Sequence, residues 1–454
     1  MRISSQLAGL FALFWVAYIG MRCVYNLFFH PLRKILGPWM AAMTSLPDFC
    51  GTYEVEKDLS TVAGLGVPAS AAATISYALH RSRRGYMNPY FSKTSIKAME
   101  PLFHERITAL LGRLDRALPE DKRISLDKAF SAMTADIITQ RFFGYHYDYL
   151  SVPDLVFPIK EAFQGASEIF HWTRFVPWAV KYLNMLPLSV IRSLFPSVAT
   201  LLELQKEIGN KIIETRGNKD EGKQKSVIMQ ALSDESIPKS ERTMQRLLDE
   251  GQRALSVGMF YLLSDRSLIR KLRAELSQVA HIPEMELITA KLEPLPYLTG
   301  VVKESIRLSY GPLTHLPRVF VDKTLQYGKY SIPPGMPMSQ STYFVHNNPE
   351  IFPNPLKFAP ERWVEAAEKG IPLNNWLTSF TKGSRQCLGI GLAHAEMYLT
   401  FARVIRNFDM ELENTTANDV SINSVLIMGQ SKPDKNGGPG QGEVEVMMIR
   451  KLEA

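Results

Sequence analysis

The stretch that most constrains this chain is Phe380 to Gly391, FTKGSRQCLGIG. Cys387 lies between a turn-forming run (Thr381, Lys382, Gly383, Ser384) and an amphipathic segment, GLAHAEMYLTFARVIRNF, that reads as a helix. A cysteine just ahead of a helix start feels the positive end of the helix dipole, and Arg385 stands two residues away. Both favour the thiolate, the form of cysteine that binds metals. Gly383 and Gly389 let the backbone turn tightly and lie close against a flat ligand. The competing reading is a buried structural cysteine.

Phe380-x-x-Gly383-x-Arg385-x-Cys387-x-Gly389 resembles the heme-ligating loop of the cytochrome P450 family, with every fixed position filled. The resemblance implies heme b as cofactor, with Cys387 as the proximal iron ligand, pushing electron density toward O–O cleavage. It also implies a mainly α fold with small β-sheets. FHPLRKILGP and HRSRRGYMNPYFSK resemble fungal members near the trichodiene-oxygenase type, which serve secondary metabolism; that is analogy rather than physics.

Composition agrees with one large helical body or two to three ordinary domains, since 454 residues at 46% hydrophobic content support a sizeable core. Three cysteines (Cys23, Cys50, Cys387) give no disulfide framework, as expected for a chain facing the reducing cytosol. The formal charge of +7 does not point to nucleic acid, because the basic residues are scattered among 45 acidic ones. It suits an anionic membrane or an acidic redox partner equally. The sequence has no internal repeat, zinc spacing, dinucleotide fingerprint or phosphate loop.

Leu7 to Met21 is uncharged, and apolar character resumes after Arg22 as CVYNLFF, ahead of His30-Pro31-Leu32-Arg33-Lys34. With ~20 apolar residues needed to span a bilayer, this is long enough if Arg22 snorkels. Arg33 and Lys34 would place the downstream domain on the cytosolic side. A cleaved signal peptide competes, but no small-x-small site precedes the basic segment and no disulfide set lies beyond it. The expectation is a membrane anchor over 1–30 and a heme-thiolate domain over 31–454, held at the endoplasmic reticulum membrane with the catalytic domain in the cytosol. Pro31 and Gly37-Pro38 resemble the family's proline-rich hinge.

Two segments depart from the family pattern. Thr61 to Ser76 is small-residue rich and reads as loop, where family members carry a longer segment with strands of a small sheet. Leu247 to Ser264 reads as the distal helix, yet the family's small-Gly-x-acid-Thr signature is missing between Asp249-Glu250-Gly251-Gln252 and Ala254-Leu255-Ser256-Val257. In the family that acid and threonine deliver protons for dioxygen activation. Losing about a dozen residues shortens a helix by roughly 18 Å. No Asp/Glu–Thr pair occurs there, so no catalytic residue is assigned; Ser256 and Gln252 are the remaining polar candidates.

Elsewhere the pattern is kept. His80 and Arg84, four apart on one helix face, match a pair that reaches the heme propionates, as does His315 in the segment after the helix Tyr297–Ser309; a solvated basic face is the alternative for the first two. Arg385 is assigned with them. Lys93 to about Thr215 is mostly helical, and its aromatic cluster (Phe163, Phe170, Trp172, Phe175, Trp178) reads either as the lining of an apolar pocket or as core. Glu304 and Arg307, at i and i+3, precede Phe358-Ala359-Pro360-Glu361-Arg362-Trp363. The resemblance implies a buried Glu304–Arg307–Arg362 network bracing the cysteine loop. Val345-His346-Asn347-Asn348-Pro349 matches the family's preceding loop.

The reading is a membrane-anchored monooxygenase that puts one atom of O₂ into an apolar small molecule, a terpenoid or polyketide intermediate. Its electrons come from an NADPH-cytochrome P450 reductase docking near Cys387. A heme-thiolate isomerase or dehydratase without O₂ activation is the alternative suited to the missing acid–threonine pair. A shortened product unable to close over heme is the third.

Overall fold

The structure is a computed structural model describing residues 77–118, 123–156, 158–173, 182–183, 185–217, 250–313, 318–319, 324–327, 329–425, 428–431 and 442–452, with four helical residues, Ala17, Tyr18, Met21 and Val24, ahead of them. Those four are exposed. The rest of the expected anchor, the hinge and the small-residue segment at 61–76 lie outside the described residues. Among the described residues no helix is long and apolar enough to cross a membrane.

The chain divides into two compact units. One comprises Met1–Asp58 and Thr314–Ser341, and besides the four helical residues its described part holds two antiparallel pairs. In the first, β2 (Arg318–Val319) pairs with β5 (Pro337–Met338); in the second, β3 (Leu325–Tyr327) pairs with β4 (Tyr330–Ile332).

The larger unit, Leu59–Leu313 with Thr342–Ala454, is mainly helical. Its principal helices are α1 (Tyr77–Met87), α2 (Glu100–Ala117), α3 (Leu126–Phe143), α4 (Pro158–Thr173), α5 (Pro196–Gly217), α6 (Glu250–Ser264), α7 (Arg266–Leu276), α8 (Pro296–Ser309), α9 (Glu361–Glu368) and α10 (Ile390–Asn407). Local chemistry sets their ends. The Ser125 hydroxyl caps α3 by accepting from the Lys128 amide, and Gly144 closes it at φ +80. Asp265 caps α7 through the Ser267 amide, and Pro296 opens α8. The sheet of this unit runs β1 (Arg123–Ser125), β9 (Glu445–Lys451), β6 (Phe408–Leu412), antiparallel throughout, and β7 (Ser424–Val425) pairs with β8 (Gly429–Gln430).

Helices α2, α3, α6, α8 and α10 enclose one apolar core containing Phe103, Phe130, Phe142, Phe401 and Phe408, all essentially solvent-free. Burying each such ring contributes ~2–3 kcal/mol before entropy is counted. Gly258 on α6 allows a close approach: a Cβ there would stand 2.2 Å from Ser305 Oγ on α8 and 2.5 Å from Phe401 Cζ on α10. Helix α6 runs unbroken through Gln252–Arg253, so the shortened distal segment joins directly onto a well-packed core helix. Helices α4 and α5 form a separate apolar layer around Ala162, Ile169, Val198 and Leu201. The side chains of Phe163, Phe170, Trp172, Phe175 and Trp178 lie outside the described residues.

Candidate functional site

The cysteine loop is held by its own backbone. Thr381 and Gly383 take positive φ (+57° and +78°), and a Cβ at Gly383 would have nothing within 4 Å, so that side of the loop is open. Thr381 Oγ1 donates to the Arg385 carbonyl at 3.2 Å, and the Cys387 amide donates to the Phe380 carbonyl at 2.9 Å. Phe380 is buried and Cys387 half-buried, just ahead of Gly389, which caps α10. Helix α1 reaches this loop directly: Arg84 Nη1 donates to the Gln386 carbonyl at 2.5 Å. His80, one turn earlier on α1, is buried, and Arg385 is half-buried in the loop. His315 falls in 314–317, outside the described residues.

These residues fit a heme on the cysteine side. A soft sulfur donor at a helix N-terminus, an open glycine face beside it and the guanidinium of Arg84 at the loop match a flat, carboxylate-bearing iron macrocycle.

Glu304, Arg307 and Arg362 come together behind that loop. Arg307 holds Glu304 through Nε–Oε2 at 2.9 Å and Nη2–Oε1 at 2.7 Å, both side chains having no solvent exposure. Arg362 Nε donates to Oε1 at 3.0 Å, Trp363 Nε1 to Oε2 at 2.8 Å and the Ala359 amide to Oε1 at 3.1 Å. Five donors on one carboxylate are what make a fully buried ion pair tolerable, because no lone pair is left without a partner.

His346 extends the network, although its place in the chain suggested nothing beyond a loop match. Its Nδ1 lies 2.8 Å from the Arg307 carbonyl, while Nε2 accepts from the Thr378 amide at 3.0 Å. A carbonyl can only accept and an amide can only donate, so the ring is the neutral Nδ1–H tautomer. Thr378 leads into Ser379, whose hydroxyl donates to the Ile306 carbonyl at 2.7 Å. The network thus braces the irregular segment entering Phe380.

Burial drives the His346 pKa down to about 3. The folded value is depressed, so its stabilisation is complete above the unfolded value of 6.5 and is lost as pH falls toward 3. The thermal midpoint is therefore expected to fall from neutral pH to about pH 5, and less steeply in His346→Gln, which a pH series of unfolding curves measures. Burial, with Lys303 nearby, likewise pushes His394 down to about 4. Its ring sits 5.9 Å from that of Phe380.

Among the described residues, Asp136, His146 and Asp148 form the one group that could offer three metal ligands. Arg106 already stands among them, with Nη1 3.3 Å from both His146 Nδ1 and Asp148 Oδ1, so a side-chain cation occupies that role.

A helical body with a half-buried cysteine at the head of a core helix has the parts that a heme-thiolate site needs. Residues 69–435 match the family model for cytochrome P450. Over 492 aligned positions the chain is 42% identical to a cytochrome P450 monooxygenase, TRI4, of Trichoderma arundinaceum, covering 96% of this chain and 95% of that protein. It is 40% identical over 499 positions to the cytochrome P450 monooxygenase SAT11 of Stachybotrys chartarum, covering 97% and 95%. A solved structure, the retinoic-acid-bound cyanobacterial CYP120A1, shares the fold at a TM-score of 0.66 and 22% identity, over 90% of this chain and 87% of that one.

The chain belongs to the cytochrome P450 family: a heme-dependent oxidoreductase of the monooxygenase type, which incorporates oxygen from O₂. Both alignments to the fungal relatives are longer than the 454-residue chain, so stretches of those relatives have no counterpart here.

Proposed function

We propose that this monooxygenase acts on an apolar small molecule of fungal secondary metabolism, of terpenoid or polyketide type, with Cys387 as the iron ligand. The observation that carries the reading is the loop geometry: Cys387 at the head of α10, its amide tied to Phe380 and Arg84 bonded to Gln386. Two fungal cytochrome P450 monooxygenases at 40% identity or more support the fungal context. Bound heme supplies dioxygen activation. The protein's part is to hold it, through Cys387, with His80, Arg84, Arg385 and His315 set for its carboxylates, while Glu304, Arg307 and Arg362 keep the loop in place.

Electrons come from an NADPH-cytochrome P450 reductase. The apolar stretch within 1–30 anchors the 31–454 domain on the cytosolic face of the endoplasmic reticulum membrane, which the exposed helical residues Tyr18, Met21 and Val24 support. The missing Asp/Glu–Thr pair favours a second reading, a heme-thiolate isomerase or dehydratase. Incubating candidate substrates with reductase and isotopically heavy O₂ separates the two. A monooxygenase incorporates one heavy oxygen atom and stops without reductase, whereas an isomerase turns over an oxygenated substrate without either.

Cys387→Ser tests the ligand assignment. The thiolate-type, red-shifted Soret band of the reduced, carbon-monoxide-bound protein is expected to vanish, while the helical circular dichroism signal stays. An unchanged band would remove Cys387 from the iron.

A further inference from the structure

Helix α10 carries a polar stripe within its buried length. Glu396, Thr400, Arg403 and Asn407 recur at helical spacing, share one face and are all buried. Three of them have partners to match. Arg403 Nη2 donates to Glu284 Oε2 at 2.7 Å and Nη1 to the His104 carbonyl at 3.1 Å; Asn407 Nδ2 donates to Glu284 and to the Arg403 carbonyl. Thr400 Oγ1 stands 3.9 Å from Met133 Sδ on α3.

Glu396 differs. It lies in the second turn of the helix that begins just after Cys387, 1% exposed, and accepts a hydrogen bond from the Thr134 hydroxyl of α3. Among the described residues no cation pairs with it. The charged and titratable groups of the surrounding helices include His104 and Arg106 on α2, Asp136 on α3, Arg253 on α6, and His394 and Arg403 on α10 itself. Among the described residues none of them, nor the Glu304–Arg307 pair on α8, forms a hydrogen bond or ion pair with Glu396, whose one side-chain partner is Thr134. Burial raises its pKa to about 7, and the Thr134 hydroxyl works weakly the other way. A carboxylate in this setting, with one neutral hydroxyl for company, is costly, whereas the acid form is not.

We propose that Glu396 is a positioning residue for the cysteine loop: its buried, protonated carboxyl, accepting from the Thr134 hydroxyl, forms a latch that holds the head of α10 against α3, and ionisation weakens the latch because a buried carboxylate with no cation beside it costs more than that one hydroxyl returns. The step is a single proton passing from the carboxyl to solvent; no other bond changes. The folded value stands above the ordinary 4.5, so the stabilisation is fully present below about pH 4.5 and is lost as pH rises through about 7. The inference depends on the heme-loop reading only for its spectral arm.

The test compares the full chain with Glu396→Gln, which keeps the shape and the acceptor but cannot ionise, and with Thr134→Val. Thermal unfolding is monitored from about pH 5 to about pH 8. The wild-type folding constant is expected to fall relative to Glu396→Gln by up to about tenfold per pH unit, roughly a hundredfold in all. Thr134→Val, lacking the hydroxyl that lowers the pKa, is expected to move the loss to higher pH. In heme-loaded protein the thiolate-type share of the carbon-monoxide difference spectrum falls over the same window in the wild type and stays level in Glu396→Gln.

Parallel thermal profiles for wild type and Glu396→Gln overturn the latch. Divergent thermal profiles with an unmoved spectrum overturn its hold on the cysteine loop. Failure to take up heme counts against the proposed function and leaves the thermal comparison to decide the latch. If Glu396→Gln does not fold, the direction of the Thr134→Val shift decides it.

Discussion

Glu304→Ala is expected to leave little folded protein. The substitution strands Arg307, fully buried, with no carboxylate to answer it, and takes the acceptor from Arg362 Nε, the Trp363 indole and the Ala359 amide at once, while the Arg362 guanidinium keeps the Pro353 and Lys357 carbonyls. Removing one member of a buried ion pair costs ~3–5 kcal/mol, a large share of the ~5–15 kcal/mol that holds a domain folded. Glu304→Gln keeps the shape and one acceptor oxygen, so it should fall between wild type and Ala. Urea unfolding of the three proteins, with heme content measured alongside, gives the order. A Glu304→Ala protein within about 1 kcal/mol of wild type would show that the network is not what braces the loop.

The second large effect is expected at Gly311, where α8 hands the chain on. Its φ is +67°, and a Cβ would meet the Ser379 carbonyl oxygen at 2.3 Å and the carbonyl carbon at 3.0 Å. Both atoms are backbone and cannot swing aside. Gly311→Ala therefore adds ~1–2 kcal/mol of left-handed strain to ~1–3 kcal/mol of overpacking, about 3 kcal/mol together. The displaced atom precedes Phe380, whose carbonyl fixes the Cys387 amide, so the thiolate-type spectrum should weaken along with stability. Gly370 serves as control. It has the same φ of +67° but nothing within 4 Å of a Cβ, and Gly370→Ala should cost only the strain. Equal losses at the two sites would mean that the contact with Ser379 is unimportant.

How much of the fold and site is legible in the chain depends on the range of the interactions involved. The cysteine loop, the helix after it and the Glu304–Arg307 spacing are local patterns, written within a few residues and readable from period and turn chemistry. The helix expected over Tyr297–Ser309 is α8, starting one residue earlier at Pro296. Contacts that close over long separations are not legible. Nothing in VHNNP states that His346 will stand between Arg307 and Thr378, because burial of that ring is decided by three segments meeting. The meeting of Arg84 with Gln386 bridges 302 positions and is reached only through resemblance. Glu396 is a partial case, since the 396, 400, 403, 407 spacing is plain in the chain. A polar face on a helix reads first as the side turned to water, and only the packing of α2 and α3 against it shows otherwise.

The strand order β1–β9–β6 has a consequence for how such a chain is made. The middle strand is the last in sequence, Glu445–Lys451, and both of its neighbours, Arg123–Ser125 and Phe408–Leu412, leave the ribosome before it. The strand that succeeds α10 thus has no partner until residue 445 and its successors emerge. Vectorial synthesis therefore leaves β6 without a strand partner until Glu445–Lys451 is made, while the far end of α10 is already tied to earlier segments through Arg403, Asn407 and Arg273.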